Sequence, residues 1–448
     1  MTSTAPTVAA PTLSLTLGLD RKLAWAEGGS VRYAIADLAA TGAPAARAEA
    51  PALNLALVVD VSGSMAGDKI AAARDTAAAV TQALTARDRL TLVAFDSTAE
   101  LLLDARPMDE AGRRAALAAI RRLEPRGGTN LWEGWLLGNE RVAVAMDADP
   151  KASHRVLLLS DGQANEGVTA RSELAHHAGE LQARGIITSA VGIGDGYDEA
   201  LLGAMAEAGG GRLHDAEIPR EIGEVVLGEL LEGRAALLER TTLRIAVPAN
   251  LRAEVVGAWS HTVLPGAIDV LVGALLPDSP RRVVIRLHCP AGAPGTTVLL
   301  GASAGGALPD GSGLIEAEPV EAELRLAHGH DNTAQERDIE RSLAAFTAWQ
   351  AEAMRRAVGL NREGDRRGAK HFLERELRWL ERYARGLPGA EPLLAELVLL
   401  LRRAEEDLDP RLRKELYAAS MMRARHEKDL RSAPRAPLAD MLRREPRR

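Results

Sequence analysis

Residues 53–65 read LNLALVVDVSGSM, and the fold turns on them. Leu53 to Asp60 is an almost unbroken apolar run, the pattern of a strand buried on both faces. It ends on an acid, and Ser62 and Ser64 follow at alternate positions. Ile70, Ala73, Ala77, Val80 and Leu84 then recur at helical spacing. Further along, apolar strands at 90–95, 156–160 and 186–193 alternate with helical patterns at 109–123, 131–146, 173–184 and 197–207. Such alternation predicts an α/β unit, a Rossmann-like, mostly parallel sheet between helices. A helix from about Pro219 to Leu238 is expected to close it.

The flanks have a different period. Leu13, Leu15 and Leu17, then Val31, Tyr33 and Ile35, alternate with other residues and predict strands within 12–39. Residues 39–50, AATGAPAARAEA, read as a small-residue linker. Between 239 and 328, short strands separated by Pro, Gly and Asp turns predict a β-sandwich. Residues 12–39 hold too few strands for a stable sheet of their own, so they are expected to pair with that later set. The organisation expected is therefore strands within 1–50, the α/β unit at 51–238, the sandwich at 239–328, a helical region at 329–431 and a disordered tail at 432–448. Gly and Pro near 359–368 and 386–392 predict breaks between the helices.

Lys and Arg number 55 against 62 Asp and Glu, a formal charge of −7, which excludes a generally basic nucleic-acid binder as the default. Aromatic residues are only 3%, so the cores must be built from Leu, Val, Ile and Ala. One cysteine, Cys289, cannot form an internal disulfide and suits a reducing compartment. Met1 to Thr16 carries no basic and apolar leader pattern, and the longest aliphatic run, 397–401, is far too short for a membrane span. The expectation is a cytoplasmic protein that binds neither membrane nor nucleic acid.

Asp60, Ser62 and Ser64 lie beyond the carboxyl end of a predicted parallel strand, where open α/β sheets place ligands. Carboxylates and hydroxyls are hard oxygen donors that suit Mg²⁺, Mn²⁺ or Ca²⁺. Alone, these three residues could simply cap the next helix. Two further segments add to them: Gly127-Gly128-Thr129-Asn130 presents a hydroxyl just before a helix, and a second buried strand ends at Asp161.

Together the segments VVDVSGSM at 58–65, GGTNLWEG at 127–134 and LLLSDGQANEG at 157–167 resemble the von Willebrand factor type A (VWA) family. The resemblance covers about residues 52–235. It implies a complete metal ion-dependent adhesion site with Asp60, Ser62, Ser64, Thr129 and Asp161 as ligands of Mg²⁺, or of Mn²⁺ or Ca²⁺. The flanks also resemble bacterial multidomain VWA proteins and, more loosely, inter-alpha-trypsin inhibitor heavy chains. The function implied is non-enzymatic: a protein–protein interaction module in which the ion captures an Asp or Glu carboxylate from a partner. A MoxR-type AAA ATPase, or another component of a stress or conflict system, is the partner suggested by analogy. The alternative is a metal-dependent hydrolase, which needs a general base that the motifs do not supply.

Other motifs read more plainly. VGIGDGY at 191–197 lacks dinucleotide-fingerprint spacing and reads as a strand-to-helix turn. Gln163, Asn165 and Glu166 form a polar loop without EF-hand spacing. His176 and His177 read as surface residues, as do His328 and His330. Trp132 and Trp135 read as packing for their helix.

Overall fold

The computed structural model describes residues 11–42, 51–194, 197–216, 228, 235–309, 311–425 and 438–443. The chain opens with three strands, β1 (Thr12–Leu19), β2 (Leu23–Trp25) and β3 (Val31–Thr41), before entering the α/β unit. That unit runs through β4 (Leu53–Asp60), α1 (Asp68–Ala83), β5 (Arg89–Phe95), β6 (Ala99–Pro107), α2 (Glu110–Arg121) and α3 (Leu131–Ala148). It continues through β7 (Ser153–Ser160), α4 (Arg171–Ala183), β8 (Ile186–Ile193), α5 (Glu199–Ala208) and β9 (Gly210–Ala216).

The sheet order is β6-β5-β4-β7-β8-β9, with β4 paired in parallel to both β5 and β7. Successive side chains of a strand point to opposite faces. Leu53, Leu55, Leu57 and Val59 thus pack with Ile70, Ala77 and Val80 of α1 and Ile120 of α2. Ala56 and Val58 face Trp135 and Val142 of α3, Leu174 of α4 and Leu202 of α5. A strand in this position has no solvent side, which is why Leu55 to Val59 are all apolar.

The sandwich surrounds this unit in sequence. Its later strands are β10 (Leu238–Ala246), β11 (Arg252–Val256), β12 (His261–Leu264), β13 (Ala267–Leu275), β14 (Arg281–His288), β15 (Thr297–Ala307), β16 (Leu314–Glu316) and β17 (Val320–Ala327). One sheet has the order β1-β3-β14-β11, and the other runs β12-β13-β10-β15-β17-β2 with β16 on β15. β3 pairs antiparallel with β14, from Leu38 opposite Arg281 to Val31 opposite His288. β2 joins the second sheet in parallel beside β17. Leu13, Leu15 and Leu38 share one core with Leu243, Ile285 and Leu300. Deleting residues 1–50 is therefore expected to strip β14 of its β3 neighbour and open that core. Limited proteolysis should then cut within 240–328 while the α/β core resists; equal resistance of truncated and full-length chains would contradict this.

β3 is buried on both faces because the helix Ile339–Arg362 covers its outer side. Ala344, Ala345 and Ala348 of that helix meet Tyr33, Ile35, Val256 and Val284, and the small side chains bring the backbones close. Helices at Arg366–Ala384, Glu391–Arg403 and Pro410–Arg425 follow, with a core that includes Phe346, Leu373, Leu397 and Leu416. The junction is tied by Asp20, which accepts the Tyr33 N–H at 2.8 Å and the Tyr383 hydroxyl at 2.9 Å. Among the described residues no helix is long and apolar enough to cross a membrane.

Three expectations need correction, and a fourth falls largely outside the described residues. β6, β12 and β16 are additional strands; β6 is an antiparallel edge strand with register shifts and little burial, so it carries no clean apolar alternation. The supposed linker is shorter, because Ala39 to Thr41 complete β3; residues 43–50 lie outside the described residues. The closing helix placed at 219–238 also falls largely outside them, and its last residue, Leu238, instead begins β10. Within the expected disordered tail, Leu438–Arg443 is a helix whose Leu442 is buried against the helical core.

Candidate metal centre

The site is assembled where β4 and β7 end. The two strands are in parallel register with Val59 opposite Leu159, so Asp60 and Ser160 end up side by side. The Ser160 hydroxyl donates to Asp60 Oδ2 at 2.6 Å, and the Ser62 N–H donates to Oδ1 at 2.8 Å. A 3-10 turn, Gly63–Met65, follows, with Met65 fully buried beneath it. That turn brings the Ser62 and Ser64 hydroxyls to 3.0 Å from each other.

The second loop is stitched to the first. Gly63 N–H donates to Gly127 O, and Arg126 N–H donates to Val61 O. Gly127 has φ +66°, and a Cβ there would press on the Asp96 carboxyl at 3.2 Å, so the tight passage needs glycine. Asp96 in turn accepts Arg126 Nε at 2.7 Å. Asn130 caps α3 by accepting the Glu133 N–H, which leaves Thr129 just before the helix.

The third loop clamps Thr129. Asn165 Oδ1 accepts the Thr129 N–H at 3.0 Å, while Thr129 O accepts the N–H groups of both Asn165 and Glu166. Asp161 accepts Lys69 Nζ at 2.9 Å, and its backbone carbonyl accepts the Asp198 N–H. Asp198 pairs at 2.6 Å with Arg362, so the helical region reaches the loop beside Asp161.

Asp60, Ser62, Thr129 and Asp161 are buried, whereas Ser64 is exposed. Burial pushes the Asp60 carboxyl up to about 6; the hydrogen bonds from Ser160 and Ser62 oppose that rise, and nearby Asp161 adds to it. A wholly buried carboxylate held by neutral donors is poorly compensated. Together with the neighbouring hydroxyls and Asp161, it is a donor set that fits a hard divalent cation. Among the described residues no group of three or more His, Cys, Asp and Glu gathers as a metal cluster. The donor set here consists of two acids and three hydroxyls, a different type.

Four contributors were given no part in the site by the motif reading: Ser160, Lys69, the Asp96–Arg126 pair and Asn165, the last read only as a polar loop residue. Lys69 did carry a faint local signal, a base in the first turn of a helix, where the helix dipole disfavours it. Trp135 is buried and its indole N–H donates to Thr188. Trp132 packs on Trp135 and on the His177 ring. Cys289 is buried and His330 is almost fully exposed, so neither joins the site.

A mostly parallel sheet between helix layers, with acid and hydroxyl loops at its carboxyl edge, is the arrangement of a VWA domain. Residues 53–215 match the family described as von Willebrand factor type A domain, and this part of the chain is such a domain. An uncharacterized protein from Synechocystis sp. is 33% identical over 171 residues, 38% of this chain and 39% of that protein. An inter-alpha-trypsin inhibitor heavy chain from Mesocricetus auratus is 32% identical over 125 residues, 27% of this chain and 14% of its own length. The chain thus spans well under half the length of these relatives. Among solved structures, a von Willebrand factor type A protein from Catenulispora acidiphila aligns over 93% of this chain and 98% of its own, with TM-score 0.69 and 18% identity. The ArnB paralog VWA2 from Sulfolobus acidocaldarius aligns over 91% and 99%, with TM-score 0.56 and 18% identity. At such identities the likeness concerns the fold, and it extends over the sandwich and helical parts as well.

Proposed function

We propose that the chain is a protein–protein interaction module in which Asp60, Ser62, Ser64, Thr129 and Asp161 hold a divalent ion that captures a partner's Asp or Glu. What carries this reading is the buried Asp60 carboxylate, set among hydroxyls and without a cation of its own among the described residues. Mg²⁺ fits the donor set, with Mn²⁺ and Ca²⁺ as substitutes. Neutral hydroxyl ligands leave the ion incompletely quenched, and an outside carboxylate can complete its shell. The sandwich and helical region would present or regulate the site, in an intracellular complex; a MoxR-type AAA ATPase is a candidate partner by analogy.

A hydrolase would need a general base beside the open metal position, and the motifs supply none beyond the ligand acids themselves. Affinity capture decides between the readings. A partner retained in Mg²⁺ is expected to be lost in EDTA, to return with added Mg²⁺, and to be lost again with Asp161→Ala. Breaking one desolvated charge contact typically costs about 2–5 kcal/mol, or roughly 30-fold to several thousand-fold in affinity. Capture that survives EDTA would refute metal-mediated binding. Metal-dependent turnover that disappears in Asp60→Ala would favour the hydrolase.

A further inference from the structure

We propose that Lys69 selects for anions at this site: its ammonium stays on Asp161 beside the bound divalent ion and gives the loaded site a net positive charge. The proposal rests on the metal-site reading above and adds to it a residue that discriminates acidic from neutral ligands.

The charge count is the first support. Two carboxylates balance one divalent cation, so a site of Asp60, Asp161 and the ion alone would be neutral. Such a site prefers a carboxylate over an amide oxygen less strongly than a site with net positive charge does. Lys69 Nζ lies 2.9 Å from Asp161 Oδ2, with the Asp161 side chain 0% exposed and that of Lys69 27% exposed. The added charge makes the sum +1, in a partly dry place where charge is weakly screened.

The second support is that Lys69 is held there against local preference. It occupies the first turn of α1, where the positive end of the helix dipole repels a cation. Its stem passes over Gly194, which has φ +79° and where a Cβ would come within 2.8 Å of Lys69 Cε. The neighbouring Arg126 cannot substitute, because its guanidinium is engaged by Asp96 and Glu100 at 2.7 and 2.6 Å. Lys69 Nζ touches a candidate ligand, Asp161, directly.

The test uses the full chain with Mn²⁺ as probe, read by electron paramagnetic resonance and water-proton relaxation, and acetate or acetamide as ligand. Lys69→Met is expected to bind Mn²⁺ roughly tenfold more tightly, because a repelling charge is gone and Asp161 is released. The loaded variant should bind acetate roughly tenfold more weakly, with acetamide unchanged. Lys69→Arg should restore both values, and Lys69→Gln provides a second neutral variant should the Met form fold poorly. A merely structural role would weaken metal and acetate binding together, and that result would overturn the proposal. So would unchanged Mn²⁺ affinity or undiminished acetate binding in both neutral variants. Wild-type protein that takes up no Mn²⁺ would instead bring down the metal-site reading and this proposal with it, a failure distinct from the others.

Discussion

Asp60→Asn is expected to be more stable than the wild type in EDTA near neutral pH, and less stable than the wild type in saturating Mg²⁺. The reason lies in the buried carboxyl, whose titration is pushed up from 3.8 to about 6, chiefly by desolvation. A group whose folded value is raised contributes stability that is full below the unfolded value and lost as pH rises through the folded one. For Asp60 that loss falls between about 4 and 6, so the metal-free protein near neutrality bears a penalty of about 3 kcal/mol. Asparagine removes the charge and keeps an acceptor for the Ser62 N–H, while its amide can donate to Ser160. Mg²⁺ reverses the order: at a hundredfold excess over Kd, a ligand stabilises the native state by about 2.7 kcal/mol. The variant has no carboxylate with which to gain it. Metal affinity of the wild type should also fall about tenfold per pH unit below about 6, since the ion must displace a proton. Thermal denaturation with and without Mg²⁺ checks all three points. A variant that is weaker than the wild type in EDTA, yet responds equally to Mg²⁺, would remove Asp60 from the site.

Asp20→Ala is expected to loosen the helical region from the sandwich. Asp20 is 0% exposed and accepts from Tyr33 N–H and the Tyr383 hydroxyl, while its own carbonyl accepts the Asp338 N–H. Burial raises its titration, opposed by the Tyr33 hydrogen bond and by Arg32, which is itself nearly buried. Alanine would strand two donors and leave Arg32 without its compensating charge. Leaving two buried donors without their acceptor costs about 1–3 kcal/mol each, which for a domain of this size lowers Tm on the order of 10 °C. Tyr383→Phe, which deletes a single hydrogen bond, should cost about 1 kcal/mol. Early proteolytic release of the helical part would accompany the larger loss. If Asp20→Ala cost no more than Tyr383→Phe, the Arg32 compensation argued here would be wrong.

How much could be read beforehand differed from element to element. β4, β5, β7 and β8 were legible because each is buried on both faces and therefore carries a mainly apolar run with no solvent-side alternation. β6 was not, because an exposed, irregular edge strand has no side from which water is excluded throughout. Asp60, Ser62, Ser64, Thr129 and Asp161 were singled out through three motif segments that resemble the VWA family, with Thr129 placed just before a helix and the others at or just beyond strand ends. The residues that hold them were not: Ser160 is an ordinary strand residue, and Asn165 looks like any polar loop side chain until it is seen on both sides of the Thr129 peptide.

The sequence by itself determined the α/β layer, the strand-end loops and the oxygen chemistry they offer. These follow from burial periodicity and residue type, and both are local properties. Only the tertiary structure decided that β3 pairs with β14, that Ser160 rests on Asp60, and that Lys69 rests on Asp161. Arg282 and Asp37 are 245 residues apart, Ser160 and Asp60 100, and Lys69 and Asp161 92. Such contacts form because the sheet and its helices bring distant strand ends to one edge; at that separation no local period records the partner.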